Sequence, residues 1–162
     1  MSKPSEDSSD IYTMLMLGAG GSFETVEAAY RLVYQVKSVL AWMIDRNFIH
    51  VRHTDTFSYA VVSFPDALSE IGATSQWAEL GLTKSDVAVI WVAASLAGKD
   101  NVSLRVCAQY LDEESTKHVV EAIMYASGYM DGEVNLHSEL TVEGSIGPNR
   151  QAHDERFDLW FP

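Results

Sequence analysis

The sequence predicts an α+β fold: a single domain with a mostly antiparallel sheet and helices packed on one face. Three observations predict it. The chain has 162 residues, the length of one ordinary domain. Residues 23–46 place apolar and polar side chains at spacings of three and four, the pattern of one long amphipathic helix. Residues 102–110 and 134–143 alternate apolar with polar side chains, which marks strands with one dry and one wet face.

Taken in order, residues 1–10 (MSKPSEDSSD) are polar and acidic after the first Met and read as a disordered tail. Everything from 11 to 162 reads as the domain. Residues 11–17 (IYTMLML) are a short apolar run before a glycine-rich turn, which predicts a buried strand. The helix of 23–46 follows. Ser22 suits its N-cap, and Glu24 and Glu27 sit where the helix dipole favours anions. Its solvent stripe is Glu24, Glu27, Arg31, Gln35, Ser38, Trp42 and Asp45. Its core side is Val26, Tyr30, Val33, Val36, Leu40 and Met43, with Ile44 beside them.

Residues 48–53 and 57–64 are β-rich runs joined by Thr54-Asp55-Thr56, a hairpin pattern. Residues 65–82, interrupted by Gly72 and Gly81, read as one or two short helices with Ser75 as a second cap. Residues 87–97 (VAVIWVAASLA) mix β-branched residues with alanines, and the β-branched content assigns a central strand. Along 102–110, Val102, Leu104, Val106, Ala108 and Tyr110 point to the core, and Ser103, Arg105, Cys107 and Gln109 to solvent. Asp112 or Glu113 opens a helix that runs to Ser127, with Val119, Val120, Ile123 and Met124 inward and Gly128 at the C′ position. Along 134–143, Val134, Leu136, Leu140 and Val142 share one face, and Asn135, His137, Glu139, Thr141 and Glu143 the other. An aromatic segment, 157–162, closes the chain. The expected order is β-α-β-β-α-β-β-α-β.

Net charge is -12, from 23 acids against 11 Lys and Arg. That exceeds the magnitude of about 2–8 that keeps a small domain soluble. Residues 112–162 hold 11 acids and 3 bases, so two-thirds of the net charge lies in the last third of the chain. A field of this sign disfavours direct nucleic-acid binding and anionic membrane surfaces. It favours a basic protein partner, because complementary fields steer encounter. No apolar run approaches the ~20 residues of a membrane span. One cysteine, and no apolar stretch in residues 1–10 of the kind a secretory signal carries, lead to the expectation of a cytoplasmic protein.

Four groups of residues are candidates for chemistry. Gly18, Gly20, Gly21 and Ser22 lead from the expected strand into a helix N-terminus, a geometry that holds anions. The loop has no P-loop lysine, and Phe23 breaks the GxGxxG spacing, so a tight turn is the favoured reading. His50, His53 and Asp55 are a dense ligand-type cluster, which His137 with Glu139, or His153 with Asp154 and Glu155, could complete in space. Two ligands on one strand face do not make a zinc site, and no metal is assigned. Cys107 beside Arg105 could be an activated thiol, but no paired base is evident. There is no GxSxG elbow and no HExxH, so no catalytic residue or cofactor is assigned.

The acids Asp112, Glu113, Glu114, Glu121, Glu139 and Glu143, with Trp160 and Phe161 as aromatic anchors, form the expected partner-binding set. The expected function is an acidic, non-enzymatic binding protein, of inhibitor or immunity type, that covers a basic partner surface. The alternative is self-association, as a structural subunit of a homo-oligomer or a viral or phage particle. A third reading is a small enzyme or nucleotide binder using the Gly18–Ser22 loop.

Overall fold

The computed structural model describes residues 8–20 and 24–128, and over these the chain is mainly helical. The elements are α1 (Ser8–Ala19), α2 (Glu24–Gln35), α3 (Lys37–Asp45), β1 (Ile49–His53), β2 (Ser58–Val62), α4 (Phe64–Gly72), a 3-10 turn (Trp77–Leu80), α5 (Lys84–Leu96), α6 (Leu104–Ala108) and α7 (Glu113–Ala126). The class is α+β, but the nine-element order expected from sequence is not the one observed. β1 and β2 form one two-stranded antiparallel sheet, with Ile49 opposite Val62 and His53 opposite Ser58.

Three expected strands are helices. Residues 11–17 lie within α1, which begins at Ser8, inside the stretch read as the tail. Ile11, Leu15 and Ala19 are buried at a spacing of four, so the run has one inward helical face. Its Met and Leu residues are good helix formers. Residues 87–96 belong to α5, with Ala97 as its C-cap, and the helix is buried on nearly every side: Val87, Ala88, Val89 and Ile90 are fully enclosed, as are Ala93 and Ala94, and Trp91 is half-buried. A helix enclosed all round shows no apolar periodicity, and its β-branched residues then resemble a strand. Its start is marked instead by a capping box. The Thr83 hydroxyl accepts from the Asp86 N–H at 3.1 Å, and the Asp86 carboxylate accepts from the Thr83 N–H at 2.9 Å.

Residues 104–108 form the short helix α6, so the expected two-residue alternation does not hold there, although Arg105 is exposed as expected. Leu104 and Val106 are exposed, whereas Cys107 is buried at 1% exposure. The alternating strand read over 134–143 lies outside the described residues.

The single helix read over 23–46 is two. Val36 takes an extended backbone (φ -86, ψ 95) and is the N-cap residue of α3. The break turns the second segment, so Trp42 is buried and Ile44 exposed, opposite to a continuous stripe. The remaining core positions agree: Tyr30, Val33, Val36, Leu40 and Met43 are buried, with Val26 half-buried against them. Asn47, with φ 59, ends α3 in the left-handed conformation that asparagine tolerates, and the Phe48 N–H returns to the Met43 carbonyl at 2.8 Å.

The hairpin stands as expected. Thr54 closes its turn, with the Thr54 N–H donating to the Phe57 carbonyl at 2.9 Å and the Phe57 N–H to the Thr54 hydroxyl at 3.1 Å. Residues 65–82 contain α4 and the 3-10 turn, which starts after Gln76 rather than at a Ser75 cap. Helix α7 starts at its Asp112 cap, and Gly128 follows it with φ 75. Its inward face is Ser115, Val119 and Ala122, while Val120 and Ile123 are exposed, a correction to the expected face.

Helix α5 is the centre, with α2, α3, α4, α6 and α7 packed about it, and α1 lies along β2. The ring of Trp77 meets those of Trp91 and Tyr110 edge-on, tying the 3-10 turn to α5 and to the chain entering α7.

Candidate functional site

The Gly18–Ser22 loop does not have the geometry its composition suggests. It joins two helices, and Gly18 is an interior residue of α1. A β-carbon at Gly18 would fall 1.7 Å from the Ala60 carbonyl oxygen, so glycine is needed there for close approach of α1 to β2. Gly20 is the exposed turn residue after α1, its N–H bonded to the Leu17 carbonyl at 3.2 Å. Gly21 and Ser22 lie outside the described residues. The described half of this loop is packing, which removes the strand-to-helix premise of the anion-site expectation.

Cys107 is enclosed in the core, and burial pushes its thiol above the ordinary cysteine value. A buried, protonated thiol is a poor nucleophile. The expectation that Cys107 faces solvent beside Arg105 is therefore corrected. On β1 the His53 Nδ1 lies 2.7 Å from the Ser58 hydroxyl across the strand pair, while His50 lies on the other face of the sheet. Among the described residues no group of three His, Cys, Asp or Glu is placed to hold a metal ion. His137 and residues 153–155 lie outside them.

Asp86 is the most buried carboxylate described, at 5% exposure. It accepts from the Ser38 hydroxyl at 2.5 Å and from the Thr83 N–H and hydroxyl. Its oxygens are occupied in joining α3 to the start of α5, and this satisfaction makes it structural. A second polar node joins α1, α2 and α7. The Tyr125 hydroxyl donates to Glu27 at 2.6 Å, and the Arg31 guanidinium lies over the Tyr125 ring and donates to the Tyr12 hydroxyl at 3.0 Å. Burial, and then the Glu27 carboxylate, push the Tyr125 hydroxyl up to about 12. Glu27 and Arg31 were legible as neighbours on the solvent stripe of the helix. Their tyrosine partners, 98 and 19 residues away, were not.

The acidic set divides by role. Asp112 caps α7, its carboxylate accepting from the Ser115 N–H at 2.8 Å, and that bond holds its carboxyl below the usual carboxylate value. Glu113 pairs with Lys117 at 2.8 Å on the surface, one turn apart, and the lysine holds its carboxyl below the usual range. Glu114 is exposed with no ion pair among the described residues, and Glu121 is half-buried. Asp112 therefore serves the fold as a helix cap while remaining exposed outside the core. Glu139, Glu143, Trp160 and Phe161 lie outside the described residues. No described helix is long and apolar enough to cross a membrane.

Comparison of the chain with protein-family models, curated proteins and solved structures finds no match.

Proposed function

We propose that this chain is a non-enzymatic binding protein that presents an acidic surface to a basic patch on a partner protein. The observation that carries this reading is charge left uncompensated: net charge is -12, and exposed Asp45, Asp55, Glu79, Asp100 and Glu114 have no ion pair among the described residues. Exposed acids of this kind cost the fold little and steer oppositely charged partners, acting mainly on the association rate. Glu113, Glu114 and Glu121 on α7, continued in sequence by Glu139 and Glu143, are the residues assigned to the contact.

The test begins with capture from host lysate at low salt, followed by association kinetics of the wild type and a Glu113→Lys/Glu114→Lys/Glu121→Lys variant. Reversal at three positions takes net charge from -12 to -6. Asp112 is left in place so that α7 keeps its cap. The variant is expected to associate at least about tenfold more slowly at low salt, with the difference shrinking as salt screens the charges. Equal rates for the two proteins would reject the reading.

A second reading, self-association as a subunit of a larger assembly, rests on exposed apolar side chains. Leu104 is 58% exposed, and Val106, Val120 and Ile123 are also exposed on α6 and α7. A mass above the monomer in light scattering, with no basic protein captured, would favour it.

A further inference from the structure

Exposed apolar side chains are normal when scattered singly, but here they gather. Seven large ones are exposed among the described residues, and four of the seven, Leu104, Val106, Val120 and Ile123, fall on the consecutive helices α6 and α7. Helix α6 is held to the core by Cys107, the one buried residue of its five, and leaves Leu104, Arg105 and Val106 exposed. On α7 the buried side is Ser115, Val119 and Ala122. Val120 and Ile123, one turn apart, are exposed on the outer side, as are Glu113 and Lys117, which pair with each other at 2.8 Å. Two exposed charges of opposite sign, Arg105 of α6 and Glu114 of α7, have no ion pair among the described residues.

We propose that α6 and α7 are the contact between two copies of this chain, paired about a two-fold axis with α6 of each copy on α7 of the other, which deepens the self-association reading and rests on it. Charge selects this arrangement. Laying α7 along α7 would bring together two helices that each carry Glu113, Glu114 and Glu121, a like-charge contact between chains of net charge -12. Laying α6 on α7 instead brings Arg105 to the acids of the partner helix and sets Leu104 and Val106 against Val120 and Ile123. A two-fold contact makes each such meeting twice, because residue i meets residue j and j meets i. The same surface must then carry both charges, and Arg105 with Glu114 meets that condition. Apolar side chains at the middle of a contact, with arginine enriched among its residues, are the usual make-up of an interface between proteins.

Sedimentation of the protein over a range of concentrations tests it. Wild type is expected to pass from monomer to dimer, and no further, as concentration rises. Leu104→Asp should weaken the dimer at least about 30-fold, the effect of losing a buried anchor. Its circular dichroism spectrum should match wild type, because the side chain is 58% exposed in the single copy. Arg105→Glu and Glu114→Arg should each weaken the dimer at least about tenfold by creating a like-charge contact. The two together restore opposite charges at both meetings, so the double variant should return to within about threefold of wild type. Dimers that neither Leu104→Asp nor a single charge reversal weakens would overturn the proposal while leaving self-association through another surface. So would a double variant no tighter than the singles, or a mass that grows past the dimer. A monomer at every concentration would overturn both the proposal and the self-association reading.

Discussion

The backbone of Gly18 lies so close to the Ala60 carbonyl that a β-carbon at position 18 would come within 1.7 Å of its oxygen. Helix α1 rests on the outer side of β2 through this contact, next to the point where Tyr30 covers the same edge. Inside an exposed helix, glycine to alanine ordinarily stabilises by about 1 kcal/mol. Here the sign should reverse. Gly18→Ala is expected to destabilise by about 1–3 kcal/mol, the usual cost of overpacking. Gly20→Ala, in the exposed turn without a left-handed φ, should change stability much less. Thermal melts of both variants check this, and a Gly18→Ala protein melting at or above wild type would contradict the close approach.

The Asp112 cap makes part of the stability depend on acid. Its folded carboxyl is held below the ordinary value of 3.8, so its contribution is fully present above that value and is lost as pH falls through the lower folded one. Asp112→Ala should cost about 1 kcal/mol near pH 7, the usual worth of an N-cap. Asp112→Asn, which also caps well, should melt close to wild type at pH 7 yet lose less stability on acidification. Urea titrations of the three proteins at pH 7 and pH 3 measure both effects. An equal acid loss in the asparagine variant would show that the capping carboxylate is not the group responsible.

Cys107 should behave as a core residue. Its thiol is buried and raised in pKa, so a thiol-specific disulfide reagent at pH 8 is expected to label the native protein at least about 100-fold more slowly than the urea-unfolded protein. Cys107→Ala should then lower stability, as removal of a packed side chain does, by about 1 kcal/mol or more. Rapid native labelling would return Cys107 to the list of reactive groups.

Local signals in the sequence placed several elements well. The hairpin around Thr54–Phe57 is a short-range structure, its strands β-rich and its turn closed by its own threonine. Asp112 and Gly128 bracket α7 because capping needs only neighbours within one turn. The same kind of signal, Thr83 three residues before Asp86, stood at the start of α5, but the valines and isoleucine that follow outweighed it. Of the site residues, Asp112 was legible both as a helix start and as a surface acid, because both depend on its immediate neighbours.

By itself the sequence determined the α+β class, the amphipathic core positions from Tyr30 to Met43, the hairpin and the excess of negative charge. Each of these depends on composition or on residues within a few turns of one another. Tertiary structure alone decided that 11–17 and 87–96 are helices, since an apolar run carries no record of which neighbours will enclose it. It also decided the break at Val36, which turns Trp42 inward and Ile44 outward. The burial of Cys107, the Gly18–Ala60 approach and the Glu27–Tyr125 bond have the same origin. Each joins residues brought together by packing around α5, and no local pattern encodes such a meeting.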